Sequence, residues 1–263
     1  MRLIDFLFKQ FIHLAFLVFI LCISCESDEL DFDTSELENV RIGLYVDAGA
    51  TDIDKVEDML KQLNCSYLPI DRDSILESNL SNYNIILFPG GDMWEYKNSL
   101  SVTGVQKLKN YVQHGGGYIG ICGGSYFAAE KIVWRGWADE PRQYLTITGL
   151  GLFSGTADGP IEDFAPSYQD NNCKVNIEQN HPITSDIPQQ IDYLYSFGPK
   201  FIITDSSNVT ILGRTDVGNH IVVMAVKCQQ GKVFLTALHP EFDNDKSSWK
   251  MIRNAILWCS NKL

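Results

Sequence analysis

The sequence predicts a three-layer α/β sandwich whose mostly parallel sheet is extended by antiparallel strands. Two observations indicate this fold class. Short apolar runs alternate with amphipathic helical segments in the first half of the chain, and strand-like runs follow one another with few helices between them in the second half. With 263 residues, 45% of them hydrophobic, the chain is long enough to bury the core of one large domain.

The parallel part of the sheet is predicted from four short apolar runs, which are typical of strands that are buried on both faces. They are residues 40–46, 65–70, 83–88 and 118–121. Apolar residues at helical spacing predict helices over residues 53–63 and 104–114, and a third helix opens at Gly123.

The antiparallel part is predicted from apolar runs that lie beyond residue 140. The predicted strands are residues 145–153, 173–177, 209–212, 221–226 and 233–238, and a closing helix covers residues 247–260. Residues 155–160 are expected to form either a loop over a site at the sheet edge or a plain hairpin connection.

The chain divides into three parts. Residues 1–25 have a modest positive start and an apolar stretch that is short for a membrane span, and they end in Ser24-Cys25. This pattern predicts a signal peptide with a bacterial lipobox and a lipidated Cys25, although an uncleaved anchor or plain secretion also fits. Residues 26–39 are acidic and predict a flexible tether, and residues 40–263 form the folded domain.

Charge and composition restrict the partners. The net charge of −12 opposes binding to nucleic acid or to an anionic membrane surface, unless it serves solubility alone. Membrane contact is therefore expected through the lipid anchor only. No spacing typical of metal ligands is present, so we expect neither a metal nor a cofactor, and the oligomeric state is left open.

Four cysteines lie outside the predicted signal peptide and the G-x-C-x-G turn. They either pair outside the cytoplasm or are small buried side chains: Cys65, Cys173, Cys228 and Cys259.

The segment from Gly117 to Ser125 carries a predicted strand directly into a helix through a G-x-C-x-G turn. This is the pattern of a nucleophile elbow with cysteine in place of serine, and it projects the sulfur of Cys122 at the carboxyl edge of the sheet. The helix N-terminus favours a thiolate, and the amide of Gly123 is placed to stabilise an oxyanion. Alternatively, Cys122 is only a small residue in a tight turn.

Two further motifs also follow predicted strands. In His239-Pro240-Glu241 the imidazole is a candidate base for the thiol, and the carboxylate is a candidate for orienting the imidazole. In Phe88-Pro89-Gly90-Gly91-Asp92 the consecutive glycines let backbone amides face a ligand closely. The alternatives are a structural histidine and an ordinary turn.

Taken together and in this order, the three motifs resemble class I glutamine amidotransferases, and most closely the family named after the N-terminal domain of biotin–protein ligase. The resemblance covers residues 40–263 and implies a flavodoxin-like fold of the class I glutamine amidotransferase type. It rests on residues 88–92, 115–128, 155–160 and 239–241, and residues 195–199 loosely match the aromatic–glycine loop of that family.

The resemblance also implies roles for single residues. Cys122 would be the nucleophile, His239 the general base and Glu241 the orienting acid, and amide hydrolysis would proceed through a thioester. The amides of Gly91 and Gly123 would form the oxyanion hole. Substrate contacts would come from Gly90, Asp92, Ser125 and Tyr126.

Two classes of function remain. The first is a thiol amidohydrolase that acts on a small-molecule or peptide amide as an extracytoplasmic lipoprotein, on the periplasmic side or at the cell surface. The second is a non-catalytic ligand-binding or accessory lipoprotein with the same fold. Biotin ligation is not expected, because the sequence has no glycine- and arginine-rich biotinyl-adenylate loop.

The substrate is not identified by these patterns. Amidotransferases that use glutamine usually carry Gln soon after the elbow, where this chain has Ser125-Tyr126. Five aromatic residues either line a pocket for a ring or a sugar, or pack in the core and at the surface: Trp94, Tyr126, Phe127, Trp134 and Trp137.

Overall fold

A computed structural model describes residues 32–136, 145–164, 169–178, 181–243 and 246–263. The predicted signal peptide with Cys25, residues 26–31 of the predicted tether, and Trp137 lie outside the described residues. None of the described helices is both long enough and apolar enough to cross a membrane.

The strands are numbered in chain order. They are β1 (Arg41–Tyr45), β2 (Ser66–Ile70), β3 (Ile85–Phe88), β4 (Gly117–Ile121), β5 (Ala129–Trp134), β6 (Leu145–Thr148), β7 (Phe153–Gly159), β8 (Asn171–Ile177), β9 (Gln190–Tyr195), β10 (Lys200–Ile203), β11 (Val209–Thr215), β12 (Ile221–Cys228) and β13 (Gly231–Thr236). The helices are α1 (Ile53–Gln62), α2 (Arg72–Glu77), α3 (Met93–Gln113), α4 (Gly123–Ala128) and α5 (Trp249–Cys259).

The larger sheet has nine strands in the order β2-β1-β3-β4-β13-β12-β11-β8-β9. Its first five strands are parallel, and the antiparallel part begins where β12 pairs with β13. Every residue of β3 and β4 is buried, which explains why both strands are continuous apolar runs in the sequence. The predicted mostly parallel sheet with an antiparallel extension is confirmed.

Helices cover both faces of this sheet. On one face α2 packs on α3 and α3 packs on α4, over a stack of rings from Tyr45, Phe88 and Tyr118. On the other face α1 and α5 both contact the short 3-10 turn Pro240–Phe242. The three-layer sandwich is therefore as predicted.

The second sheet, in the order β10-β7-β5-β6, corrects two predictions. The strand predicted over residues 145–153 is two strands, β6 and the start of β7. Residues 155–160 were expected to be a loop or a hairpin connection, but most of them belong to β7, which pairs with β5 and β10. Glycine and aspartate in β7 lower its strand propensity, which hid it in the sequence.

Helix α3 starts earlier than the predicted helix 104–114. The carboxylate of Asp92 accepts hydrogen bonds from the amides of Trp94 and Glu95, at 2.8 and 3.3 Å, and so caps the first turn. The helix is interrupted at Ser101, whose φ is 55° and ψ is −178°. This break separates the predicted part of the helix from the part that the apolar spacing did not reveal.

The remaining cysteines are buried rather than paired. Cys65, Cys173, Cys228 and Cys259 are free thiols in the described structure. Burial raises the pKa of Cys65 to about 12 and that of Cys173 to about 12. These thiols are therefore poor nucleophiles at neutral pH.

The folded unit begins at Thr34, within the segment predicted to be a tether. Leu37 is fully buried, and Glu36 lies 2.8 Å from Arg253 of α5. Residues 34–39 are therefore a part of the domain, and the predicted boundary at residue 40 moves towards the N-terminus.

Leu37→Ala should reduce the free energy of unfolding by about 2–5 kcal/mol, because it leaves a cavity between the N-terminal segment and the core. Denaturant unfolding measures this change. Leu68→Ala removes a side chain that is 60% exposed and should change stability by less than about 0.5 kcal/mol. Equal, small effects of the two substitutions would place residues 34–39 outside the folded unit.

Candidate functional site

Cys122 lies at the elbow between β4 and α4 with backbone angles of φ 45° and ψ −102°. A positive φ is uncommon and strained for a residue that carries a side chain, so the surroundings must hold it. A β-carbon at Gly120 would lie 2.7 Å from the carbonyl oxygen of Gly124, and one at Gly124 would lie 2.2 Å from that of Phe88. Only glycine therefore fits at either position of the G-x-C-x-G turn.

The structure brings the side chains of Cys122, His239 and Glu241 together at the carboxyl edge of the larger sheet. The register of β13 against β4 places Thr236 opposite Ile121, so the segments that follow the two strands leave the sheet side by side. Nδ1 of His239 lies 2.8 Å from Oε1 of Glu241, and all three residues are at least nine-tenths buried. Their roles remain predictions.

The turn that carries His239 and Glu241 is fixed from both sides. The amide of His239 donates to the carbonyl oxygen of Leu194, and the indole nitrogen of Trp249 in α5 donates to that of Pro240 at 2.9 Å. Oε2 of Glu241 is buried and has no hydrogen-bond partner among the described residues. The carboxylate is therefore committed to the imidazole through Oε1 alone.

The carbonyl oxygen of Ser196 lies between the thiol and the imidazole. Sγ of Cys122 donates to it at 3.3 Å, and Nε2 of His239 is also 3.3 Å away. A carbonyl oxygen only accepts hydrogen bonds, so Nε2 must carry a hydrogen to interact with it. Since Nδ1 faces a carboxylate, this arrangement is satisfied when the ring is doubly protonated.

Electrostatics favour the same protonation state. Burial by itself lowers the pKa of His239, but the charges of Cys122 and Glu241 and their hydrogen bonds with the ring outweigh burial and raise the pKa well above its usual value. The site is therefore arranged to stabilise an imidazolium at His239.

The loop that follows β9 holds Ser196 and Phe197 in place. The hydroxyl of Tyr126 donates to the carbonyl oxygen of Phe197 at 2.9 Å, and the hydroxyl of Tyr195 donates to that of Gly198 at 2.8 Å. A β-carbon at Gly198 would lie 1.8 Å from the carbonyl oxygen of Ala237, so only glycine permits this approach to the end of β13.

Gly91 and Gly123, the predicted oxyanion-hole residues, are in close backbone contact. A β-carbon at Gly123 would lie 2.1 Å from the carbonyl oxygen of Gly91 and 2.7 Å from its nitrogen. In the described structure neither amide donates one of the backbone hydrogen bonds that hold the turns and loops. The role of these two amides as an oxyanion hole stays a prediction.

A cavity of about 340 Å³ opens beside the sulfur. Aromatic side chains form much of its wall, and two carboxylates lie at it. The lining residues are Thr51, Asp52, Gly91, Asp92, Met93, Trp94, Cys122, Tyr126, Trp134, Ser196, Phe197 and His239. Among the described residues, no group of three or more His, Cys, Asp or Glu side chains is arranged to hold a metal ion.

The predicted substrate contacts divide between the cavity and the core. Asp92 and Tyr126 line the cavity, although Asp92 also caps α3. Gly90 packs against the imidazole, where a β-carbon would lie 3.1 Å from Cε1 of His239. Ser125 is fully buried and its hydroxyl donates to the carbonyl oxygen of Cys122 at 2.7 Å, so it supports the elbow instead of facing the cavity.

The aromatic candidates divide in a similar way. Trp94, Trp134 and Tyr126 line the cavity, whereas Phe127 is buried in the core. Sequence reasoning missed Asp52 as a lining residue. The available signal was its place just after β1, since ligands of open α/β sheets bind at the carboxyl ends of strands.

Comparisons with known proteins agree with this architecture. The model of the family "Biotin-protein ligase, N terminal" matches residues 45–256. The biotin–protein ligase of Schizosaccharomyces pombe is 30% identical over 171 residues, which are 62% of this chain and 26% of that ligase. An uncharacterised protein of Chlamydia muridarum is 29% identical over 163 residues, 60% of each chain. The chain thus spans less than two thirds of either relative.

Solved structures show the same fold at low identity. A glutamine amidotransferase from Thermotoga maritima superimposes with a TM-score of 0.54 and 13% identity, over 84% of this chain and 98% of its own. The chain therefore has the class I glutamine amidotransferase-like, flavodoxin-type fold that its motifs predicted.

The raised pKa of His239 is testable by NMR titration of its ring. In the unmodified protein the ring should stay protonated at pH values where an ordinary histidine is neutral. The charge of Cys122 contributes most to the raised pKa of His239. Cys122→Ala removes this charge, so the pKa of His239 should fall. The titration of His181, which burial shifts to lower pH, should be the same in both proteins. An identical His239 titration in the two proteins would show that the thiol and the ring are uncoupled.

Proposed function

The chain belongs to the biotin–protein ligase N-terminal family, and we propose that this member is a cysteine-dependent amidohydrolase that works outside the cytoplasm as a lipoprotein. Cys122 is the nucleophile, His239 the general acid and base, and Glu241 the residue that orients the imidazole. The substrate is a small-molecule or peptide amide that enters the aromatic cavity.

One observation carries this proposal. A thiol on a strained elbow, an imidazole and a carboxylate meet beside a cavity. Nδ1 of His239 faces Glu241, and Nε2 lies 3.3 Å from the Ser196 carbonyl oxygen that also accepts from Sγ of Cys122. A purely structural role for His239 would not require a thiol, two glycine amides and a cavity beside its ring.

The first half of the reaction forms a thioester. The thiolate of Cys122 attacks the amide carbon, and the carbonyl π electrons move to the oxygen, where the amides of Gly91 and Gly123 stabilise the negative charge. The imidazolium of His239 then gives its proton to the amide nitrogen. The carbon–nitrogen bond breaks, and ammonia or an amine leaves.

The second half releases the acid. Neutral His239 takes a proton from a water molecule, and the resulting hydroxide attacks the thioester carbon. The tetrahedral intermediate collapses, the carbon–sulfur bond breaks, and Cys122 leaves as a thiolate beside the imidazolium. The starting state of the site is thereby restored.

Biotin ligation is not included in the proposal, because the matched region is 26% of the fission yeast ligase. Glutamine is not favoured as the substrate either. Tyr126 stands where a glutamine-using elbow carries Gln, and its hydroxyl is committed to the carbonyl oxygen of Phe197.

A non-catalytic accessory lipoprotein is the second candidate, and the carbonyl oxygen of Ser196 favours it. This oxygen already accepts from Sγ of Cys122 and lies at hydrogen-bond distance from Nε2 of His239, so both groups are engaged before any substrate arrives. Catalysis requires the substrate to displace these contacts, whereas an accessory protein would keep them.

The hydrolase proposal predicts that Cys122 reacts with iodoacetamide faster than the other described cysteines at neutral pH. Cys65 and Cys173 are held as thiols by burial, which raises their pKa. His239→Ala should slow the reaction of Cys122 by about tenfold or more, because it removes the imidazolium that stabilises the thiolate. Peptide mapping by mass spectrometry measures each site separately.

His181→Ala is the matched control, since His181 caps a short 3-10 turn and does not line the cavity. The control should leave the rate at Cys122 unchanged. Equally slow reaction at all cysteines, or equal effects of the two histidine substitutions, would favour the accessory protein.

The location has a test of its own. If Cys25 carries a lipid, Cys25→Ala should move the protein from the membrane fraction to the soluble fraction of cells that express the full chain. Immunoblotting of the two fractions measures the shift, and Cys65→Ala serves as the cysteine control. Membrane retention of the Cys25→Ala protein would indicate an uncleaved anchor instead.

A further inference from the structure

We propose that the cavity beside Cys122 is selective for cationic amides, that is, for substrates with an amine or quaternary ammonium group near the scissile bond. This inference rests on the proposed hydrolase function for the bond that is cleaved. The cation site itself follows from aromatic faces, unpaired carboxylates and the absence of competing cations in the described lining.

The aromatic wall has a shape that suits a cation. Trp94 and Trp134 are nearly perpendicular, at 89° with ring centroids 6.1 Å apart, and Tyr126 is inclined by 64° to Trp134 at 5.9 Å. All three side chains line the cavity. Perpendicular aromatic rings offer a corner in which a cation contacts more than one ring, and indole faces bind cations best among the aromatic side chains.

Two carboxylates at the cavity have no cationic partner. Asp52 and Asp92 both line it, and neither forms an ion pair with a described lysine, arginine or histidine. Asp52 stands at the N-cap position of α1 with φ 52°, yet its side chain makes no capping hydrogen bond. The charge of Asp52 is therefore not used in a helix cap, and Asp92 carries a second negative charge at the same cavity.

Among the described lining residues, the imidazolium is the one positive charge that could balance them. No lysine or arginine is among the described lining residues, and His239 is already matched by Glu241. Arg135 follows a lining residue in the chain but is held by Asp158 at 2.6 Å and 2.8 Å. A substrate carboxylate, such as that of free glutamine, would therefore find no lysine or arginine partner in the described lining and would meet two like charges.

Charged thiol reagents test this selectivity at Cys122. Three methanethiosulfonates present the same reactive group with a trimethylammonium, a neutral or a sulfonate end. In each reaction the thiolate attacks the sulfenyl sulfur, a disulfide forms, the bond to the sulfonyl sulfur breaks and methanesulfinate leaves. The full chain in neutral detergent should react with the cationic reagent faster than with the anionic one, relative to free cysteine.

The variants decide whether the cavity carboxylates cause this preference. Asp52→Asn and Asp92→Asn should each lower the ratio of cationic to anionic rates by about fivefold, as expected for the loss of one nearby charge. Asparagine keeps the cap of α3 and tolerates the left-handed backbone of residue 52. Asp54→Asn removes an equal charge from α1 outside the lining and should change the ratio less.

Choline and its neutral isostere 3,3-dimethylbutan-1-ol test the aromatic corner. Choline should protect Cys122 from iodoacetamide and change the tryptophan fluorescence at concentrations where the isostere does neither. Trp94→Leu should weaken both effects of choline. Equal effects of the two compounds would overturn the cation site in favour of a neutral ring or sugar.

The outcomes separate the two proposals. A Cys122 that is fastest among the cysteines, with a rate ratio that neither aspartate substitution alters, overturns cation selectivity and leaves the hydrolase standing. A Cys122 as slow as the buried thiols overturns the hydrolase, and the choline fluorescence titration then still decides the cation site.

Discussion

The parallel pairing of β4 with β13 is the contact on which the site depends. Thr236 lies opposite Ile121, and its carbonyl oxygen accepts the amide of Cys122 at 2.9 Å. Because parallel neighbours end at the same edge of a sheet, this pairing brings the elbow and the His239 turn together from distant parts of the chain. A shift of one residue in this register would turn alternate side chains to the other face and separate the sulfur from the ring.

The protonation of His239 is the second feature on which the site depends. An imidazole this deeply buried would ordinarily be neutral, yet its pKa is raised by the thiol, by Glu241 and by their hydrogen bonds. The carbonyl oxygen of Ser196 accepts from the protonated ring, and tyrosine hydroxyls hold the loop that carries it. The same loop forms part of the cavity wall, so it both contacts the ring and shapes the cavity.

The sequence predicted those parts of the fold whose structure is set by residues close together in the chain. The apolar runs of β3 and β4 predicted buried parallel strands, and the glycines around Cys122 predicted the elbow, because both patterns arise from steric demands on neighbouring residues. The second sheet was missed, since β7 gains its stability from pairing with β5 and β10 and not from its own glycine-containing sequence. Ser125 was misplaced because position alone does not tell whether a hydroxyl faces a cavity or the backbone of the elbow. The Ser196 carbonyl reaches the site through tertiary contacts that have no local pattern.

The most direct test of the central claim is a crystal structure of the protein after reaction with a simple aldehyde, whose thiol adduct resembles the tetrahedral intermediate. We expect a bond from Sγ of Cys122 to the aldehyde carbon. The adduct oxygen should lie within hydrogen-bond distance of the Gly91 and Gly123 amides, and Nε2 of His239 should have turned from Ser196 towards the adduct. An unmodified Cys122, or an adduct whose oxygen points away from both amides, would show that Cys122 is not the nucleophile of a hydrolase site.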